Sequence, residues 1–321
     1  MPRKVTLTPA ETVAPPESGV YEGVSFDLYK AWPLLNQSTL KWGLTSAQHL
    51  KAAMDGLIAR SDTDAQRLGR ALHSKILEPE TFDQEWVFSE GCCAEIKSGA
   101  RKGDTCGSEA SYRELIDGEA RWYCGVHAKG KGVHEPPNRL SWDQIEDIDA
   151  VCDAMVKHPV IRLLRQHGGH EVSIVWDAEG FPAKARLDKW IAGDDGKWPA
   201  TVVDLKKCRI GHGGCDKFAE AMRAYGYDIQ AAWYVDAVAQ VTGKQAKFVW
   251  VTVEEQFPYA VNVMQCDAAT LAFGRERYQR LLELLRRGQT TRHWPGHMRG
   301  LEIGSVGLPD WFIKREREKP L

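Results

Sequence analysis

The chain has 321 residues, of which 43% are hydrophobic and 27% charged, with a formal net charge of −2. That balance belongs to an ordinary soluble globular protein and excludes fibrous and disordered classes. No apolar run reaches the roughly 18 residues of a membrane-spanning helix, and the even charge gives no global signal for nucleic acid, although a local basic groove would suffice. Of the eight cysteines, four fall between Cys92 and Cys124. In a chain this long such clustering points to a metal or a reducing compartment rather than a secreted disulfide scaffold, so the cytoplasm of a bacterial cell is the expected location.

Residues 1–20 carry several prolines and no apolar core of a signal peptide, and read as a flexible lead-in. Asn36 and Ser38 open a helix that restarts near Ser46 and runs towards Met54. A second helix over 64–77 carries Leu68, Leu72, Ile76 and Leu77 at helical spacing and stops at Glu78-Pro79. From 91 to 132 the texture turns to glycine, cysteine and basic residues without apolar periodicity, which marks an insertion. Helix returns over 141–165, broken or kinked at His158-Pro159. Strands follow at 171–176, 183–191 and 200–206, the last two separated by a turn at 193–196. A helix over 216–241, interrupted at Gly226, leads to strands at 247–253 and 259–265. An amphipathic helix over 268–287 precedes an irregular tail. This order predicts an α/β protein, a mixed sheet flanked by helices, with residues 21–321 forming one domain that carries the insertion.

The chemistry concentrates in one hairpin. Asp188 lies on its second strand and Asp204 on the next, so antiparallel pairing brings the carboxylates within about 5 Å, close enough to share hard divalent cations. Lys206 sits two residues beyond Asp204, on the same face of the strand, where it can orient water or stabilise charge on a phosphate. A charged surface hairpin is the plain alternative. Against it, Thr201-Val202-Val203 is a buried-strand sequence running straight into Asp204, and a carboxylate there is costly unless liganded.

Residues 182–206 resemble the core of the PD-(D/E)xK nuclease superfamily, with one acid on a strand and acid-x-lysine on the next. Three more stretches are similar to RecE-type (exonuclease VIII) phage and prophage exonucleases. They are Leu68 to His73 continuing to Phe82, Glu171 to Trp176, and Tyr227 to Tyr234. The resemblance implies Asp188 and Asp204 as ligands of magnesium or manganese, Lys206 as the catalytic lysine, and His73 beside the metal or the scissile phosphate. It implies Gln230 and Tyr234, one helical turn apart, as residues that contact DNA or brace the site. Glu171 is a further candidate ligand, with strand flanking as its alternative; core packing is the alternative for Tyr234 and His73.

Cys93, Cys106, Cys124 and His127 are separated by 12, 17 and 2 residues, a spacing that closes a tetrahedral Cys3His zinc site, with Cys92 able to replace Cys93. The stretch is too poor in apolar residues to fold on a core of its own, so a metal would supply the missing stability. It is similar to short zinc-binding modules, which the RecE pattern lacks, and Arg101, Lys102, Arg121, Lys129 and Lys131 decorate it.

Together these readings predict a magnesium-dependent exonuclease on double-stranded DNA with a free end. The RecE resemblance implies 5′ to 3′ digestion in phage-type recombination beside a single-strand annealing protein, and a ring-like homo-oligomer, perhaps a tetramer. In such a ring Lys184, Arg186, Lys189, Lys207 and Arg209 would face the DNA channel. An endonuclease or nickase on the same fold, and a silent zinc-containing DNA-binding protein, are the alternatives.

Overall fold

The computed structural model describes residues 3–4, 16–58, 63–116, 118–194, 196, 198–297, 303 and 305–318; most of the lead-in expected over residues 1–20 lies outside the described residues. By internal contacts the chain divides into two compact units, 1–37 with 60–277 and 38–59 with 278–321.

In chain order, β1 (Arg3–Lys4), β2 (Gly19–Glu22) and α1 (Phe26–Ala31) precede α2 (Gln37–Leu40) and α3 (Ala47–Met54). The next helix, α4 (Asp64–Leu77), is fixed at its start by a capping box, Thr63 and Gln66 each accepting the other's backbone N–H. It ends where Pro79 opens α5 (Pro79–Glu85), because proline pushes the preceding Glu78 out of helical geometry. Strands β3 (Val87–Phe88) and β6 (Arg139–Leu140) pair in parallel. Between them stands the hairpin of β4 (Tyr112–Ile116) and β5 (Glu119–Tyr123), so the cysteine-rich segment leaves and returns at one root. The break anticipated at His158-Pro159 separates α6 (Trp142–Lys157), capped by Ser141 and Gln144, from α7 (Pro159–Gln166).

The sheet core follows as a meander of β7 (Gly169–Ala178), β8 (Phe181–Ile191) and β9 (Thr201–Cys208). Gly226, with φ +63°, divides α8 (Cys215–Tyr225) from α9 (Tyr227–Thr242), a left-handed geometry that suits glycine. These helices carry the chain to β10 (Lys247–Glu254), parallel to β9, and β11 (Val261–Gln265) returns antiparallel. The sheet order is β1-β2-β7-β8-β9-β10-β11. One face is covered by α4 to α7, whose Leu72, Ile76, Met155 and Ile161 join Val203, Leu205 and Val251 in one core cluster. The other carries α9, packed on β7, β8 and β10. That helix is apolar nearly all round and buried from Asp228 to Tyr234, as a helix between two layers must be. With both faces covered, Thr201 to Leu205 of β9 are buried without alternation.

The last element of the first unit is the start of α10 (Ala268–Thr291). A Cβ on Gly274 would lie 2.1 Å from the Asp228 carbonyl oxygen, so the two helices touch backbone to backbone and only glycine fits. Arg277 clamps the crossing by donating to both carboxylate oxygens of Asp228 at 2.8 Å.

In the second unit Leu40, Leu50, Leu281, Leu282 and Leu285 are buried. Two features differ from the expected irregular tail. The helix α10 continues to Thr291, and α11 (Asp310–Arg317) forms beyond it. Lys314, Arg315 and Arg317 fill the last turn of α11 and favour its C-terminal dipole, while eight residues are too few to display a clear apolar period. Among the described residues no helix is long and apolar enough to cross a membrane.

Candidate active site

The β8–β9 ladder runs from Ile191↔Thr201 to Lys189↔Val203 and then stops. Beyond that point Asp188 substitutes its side chain for a backbone acceptor: Oδ2 takes the Leu205 N–H at 2.7 Å. Asp204 is fully buried. Its Oδ1 accepts from Gln230 Nε2 at 2.7 Å, and its Oδ2 forms an ion pair with Lys206 Nζ without an aligned hydrogen bond. Lys206 shares the face of β9 with Asp204, as two-residue spacing requires, and its ammonium lies 5.0 Å from the Tyr227 ring centroid. Burial works against the lysine's charge, but the neighbouring Asp204 and Asp188 carboxylates outweigh it and raise the pKa above the ordinary value. Burial, with the Asp204 charge second, pushes the Asp188 carboxyl up to about 7.

His73 comes in from α4. Its Nε2 lies 3.0 Å from the Leu205 carbonyl oxygen, which can only accept, so the proton sits on Nε2. The Nδ1 lone pair is then free, 3.5 Å from Asp188 Oδ2. This is how metal-binding imidazoles are oriented. Burial lowers the His73 pKa and favours the neutral ring that a metal needs. Glu171 interrupts β7: His170 pairs with Lys189 and Val172 with Leu187, while Glu171 takes φ +50°. Such geometry costs a non-glycine residue about 1–3 kcal/mol and persists only when neighbours hold it. Arg186 does so by an ion pair, and its Nη1 also donates to the Val24 carbonyl at 2.7 Å. Burial raises the Glu171 pKa.

One ligand atom each from His73, Glu171 and Asp188 lies within 4.8 Å of the other two. Two carboxylates and a neutral imidazole suit magnesium or manganese; Asp204, expected as a ligand, is not among the three, and its Oδ2 is turned to Lys206.

A family described as PDDEXK-like domain of unknown function (DUF3799) matches residues 36–303. The chain belongs to that family. It is a nuclease domain, built to hydrolyse phosphodiester bonds. Among solved structures, the chain is similar to a "Putative exonuclease" from Eubacterium rectale, with a TM-score of 0.53 and 13% identity over 88% of this chain and 92% of that one; this likeness is one of fold. A second, the protein SSO0001, matches 43% of this chain and 60% of its own at 17% identity, with a TM-score of 0.24 that carries no argument. No curated protein matches the sequence. The chain carries an acid, Asp188, on β8 and an acid-x-lysine, Asp204 and Lys206, on β9.

Gln230 is buried and holds Asp204, and Tyr234 is 7% exposed, packed near Phe248. Of the five basic residues expected to face DNA, Lys184 is buried and donates to the carbonyls of Tyr29, Lys30 and Trp32 at the end of α1. Arg186 is committed to Glu171, Lys207 to Glu255 at 2.6 Å, and Lys189 is buried. Of the five, Arg209 is left exposed and, among the described residues, without such a partner. Sequence reasoning missed what Arg186 and Tyr227 do: the first holds Glu171 and the second places its ring against Lys206. The first shares a strand face with Asp188 at two-residue spacing, a signal that was there to read.

In the insertion, Cys92, Cys106, Cys124 and His127 each offer one atom within 4.8 Å of the others. His127 Nδ1 lies 3.4 Å from the sulfurs of both Cys92 and Cys124. This corrects the expectation of Cys93, which is exposed. Cys92 donates its N–H to Ser108 and accepts from Gly107, facing it towards Cys106, whereas Cys93 donates to Trp122. Consecutive residues of extended chain face opposite ways. Hydrogen bonds from the side chain and backbone of Ser108 lower the Cys106 thiol to about 6.

Proposed function

We propose that the protein is a magnesium- or manganese-dependent exonuclease acting on double-stranded DNA from a free end. The observation that carries this reading is the convergence of His73, Glu171 and Asp188 on one point beside the Asp204–Lys206 pair. His73, Glu171 and Asp188 would hold the cation, with Asp204 at its edge. When bound, a divalent cation there polarises the scissile phosphate and activates the attacking water. The Lys206 ammonium, kept protonated by two carboxylates, stabilises charge developing on the phosphate. Gln230 fixes the rotamer of Asp204, and the Leu205 carbonyl fixes the tautomer of His73. Digestion from the 5′ end, a ring-like oligomer and a role beside an annealing protein follow from the likeness to RecE-type exonucleases.

The same reading assigns zinc to the insertion. Sulfur and nitrogen ligands at zinc bond lengths stand about 3.6 Å apart on a tetrahedron, and the 3.4 Å separations support that ion.

Incubation with linear and with covalently closed circular duplex, in magnesium, tests the proposal. Linear duplex is degraded and circles are spared. Nicking of closed circles at the rate of linear digestion would establish an endonuclease instead.

A further inference from the structure

Behind Asp188 the helical layer borders a half-open cavity of about 200 Å³. Its floor is apolar, formed by Ile76, Met155, Leu164 and Leu205 among others. Lys189 also lines it. That side chain is 5% exposed, and among the described residues its ammonium has no hydrogen-bond or ion-pair partner. The charge acting on it most directly is another cation, the exposed guanidinium of Arg165, which lies on the same cavity wall. His170, paired with Lys189 across the β7–β8 ladder, adds a third nitrogen base. The acids on the wall are engaged elsewhere or exposed: Asp188 takes the Leu205 N–H, and Glu80 sits at the exposed rim.

The Lys189 ammonium lines the cavity with a second cation nearby and no carboxylate on it, an arrangement that an anion entering the cavity would neutralise. Lys189 directly follows Asp188, so strand alternation points the two side chains to opposite sides of β8. The cavity reaches both. An anion on Lys189 is therefore held beside the metal-ligand cluster but not in it. The volume exceeds what a bare phosphate needs, and the apolar floor suits a flat ring.

We infer that this cavity is a subsite for a nucleotide carrying a phosphate monoester, with the phosphate on Lys189 and Arg165 and the base on the apolar floor. The assignment of the phosphate to a strand terminus rests on the nuclease reading above; the anion site itself does not. Its occupant is either the phosphorylated end of the substrate strand or a free mononucleotide.

Calorimetric titration in buffer free of magnesium and manganese, with no chelator so that the insertion keeps its metal, allows no cleavage and separates these sources. The probes are a short single strand bearing a 5′-phosphate, its 3′-phosphate and unphosphorylated twins, and AMP. A phosphorylated probe binds more tightly than the hydroxyl twin by about tenfold or more, the worth of hydrogen bonds to a charged group. Tighter binding of an end-phosphorylated strand identifies a terminus, and of AMP a free nucleotide. Lys189→Met, which replaces an unpartnered buried charge with an apolar chain of similar length, levels phosphorylated and hydroxyl probes while the melting temperature is kept. Should that variant fail to fold, the exposed Arg165→Gln decides, with a several-fold loss confined to phosphorylated probes. Wild-type protein with no preference for phosphate, or a folded Lys189→Met that keeps it, overturns the inference. Absence of cleavage in magnesium overturns only the nuclease reading, because binding here is measured without turnover.

Discussion

The hairpin centre and the cysteine-rich insertion both gather ligand-type side chains within 4.8 Å, yet they do so by opposite means. At the hairpin, His73, Glu171 and Asp188 come from α4, β7 and β8, all locked into the central core. The site is preformed by packing, and a metal finds oxygen and nitrogen donors already held. In the insertion, among the described residues, the apolar cluster around Cys92 and Cys124 has just Ala110 and Trp122 as its other buried members. On the zinc proposal the ligands there substitute for a core, and metal and fold become one equilibrium. Preformed hard sites exchange ions and do chemistry; a soft site that makes its own fold holds one ion permanently.

This contrast is broken most severely by removing a ligand from the preformed centre. Asp188→Asn takes away a charge and the acceptor of the Leu205 N–H, and hydrolysis of linear duplex falls by about a thousandfold or more. Circular dichroism stays native, because the sheet supplies the fold. Next in size is Gln230→Ala. It touches only the orientation of Asp204, and losses of second-layer partners run at about 10- to 100-fold. A steady-state assay should show that loss mainly in kcat. Gly274→Ala acts further away: its methyl would strike the Asp228 carbonyl, so thermal unfolding shifts by about 1–3 kcal/mol, with kcat at permissive temperature little changed.

The smallest catalytic effect belongs to the insertion. Cys106→Ser releases the zinc, seen by metal analysis, and exposes residues 91–132 to protease. Cleavage of a short duplex stays within about twofold, since the hairpin's stability does not depend on that ion. A protein that binds no zinc as purified would end the assignment there, and with it the contrast.

How much of this was legible beforehand follows the same division. The helix over 64–77, the break at His158-Pro159, the interruption at Gly226 and the meander were readable because caps, prolines, glycine and alternating apolar runs are local signals. Asp188, Asp204 and Lys206 were brought forward by family resemblance and, for Asp204, by the oddity of a carboxylate in a buried strand, and their neighbourhood around the Leu205 backbone is what the structure adds. The place of Glu171 was obscure, since its positive φ is imposed by Arg186 and by the ladder around it. Cys92 could not be told from Cys93, because the choice turns on which face of an extended segment meets a hairpin far along the chain. The burial of Lys184 was equally hidden: its partners are carbonyls at the end of α1, some 150 residues upstream. Contacts of that range leave no trace in local pattern, and they decide which basic residues remain for DNA.

The central claim, hydrolysis at the splayed end of β8 and β9, is tested most directly by Asp204→Asn. This change keeps shape and the Gln230 contact while removing the charge that faces Lys206. Wild-type and variant proteins of equal zinc content and equal melting temperature are compared on linear duplex in magnesium. The account predicts loss of cleavage by about a thousandfold or more, with the variant still binding duplex. Cleavage by folded Asp204→Asn at the wild-type rate would contradict it.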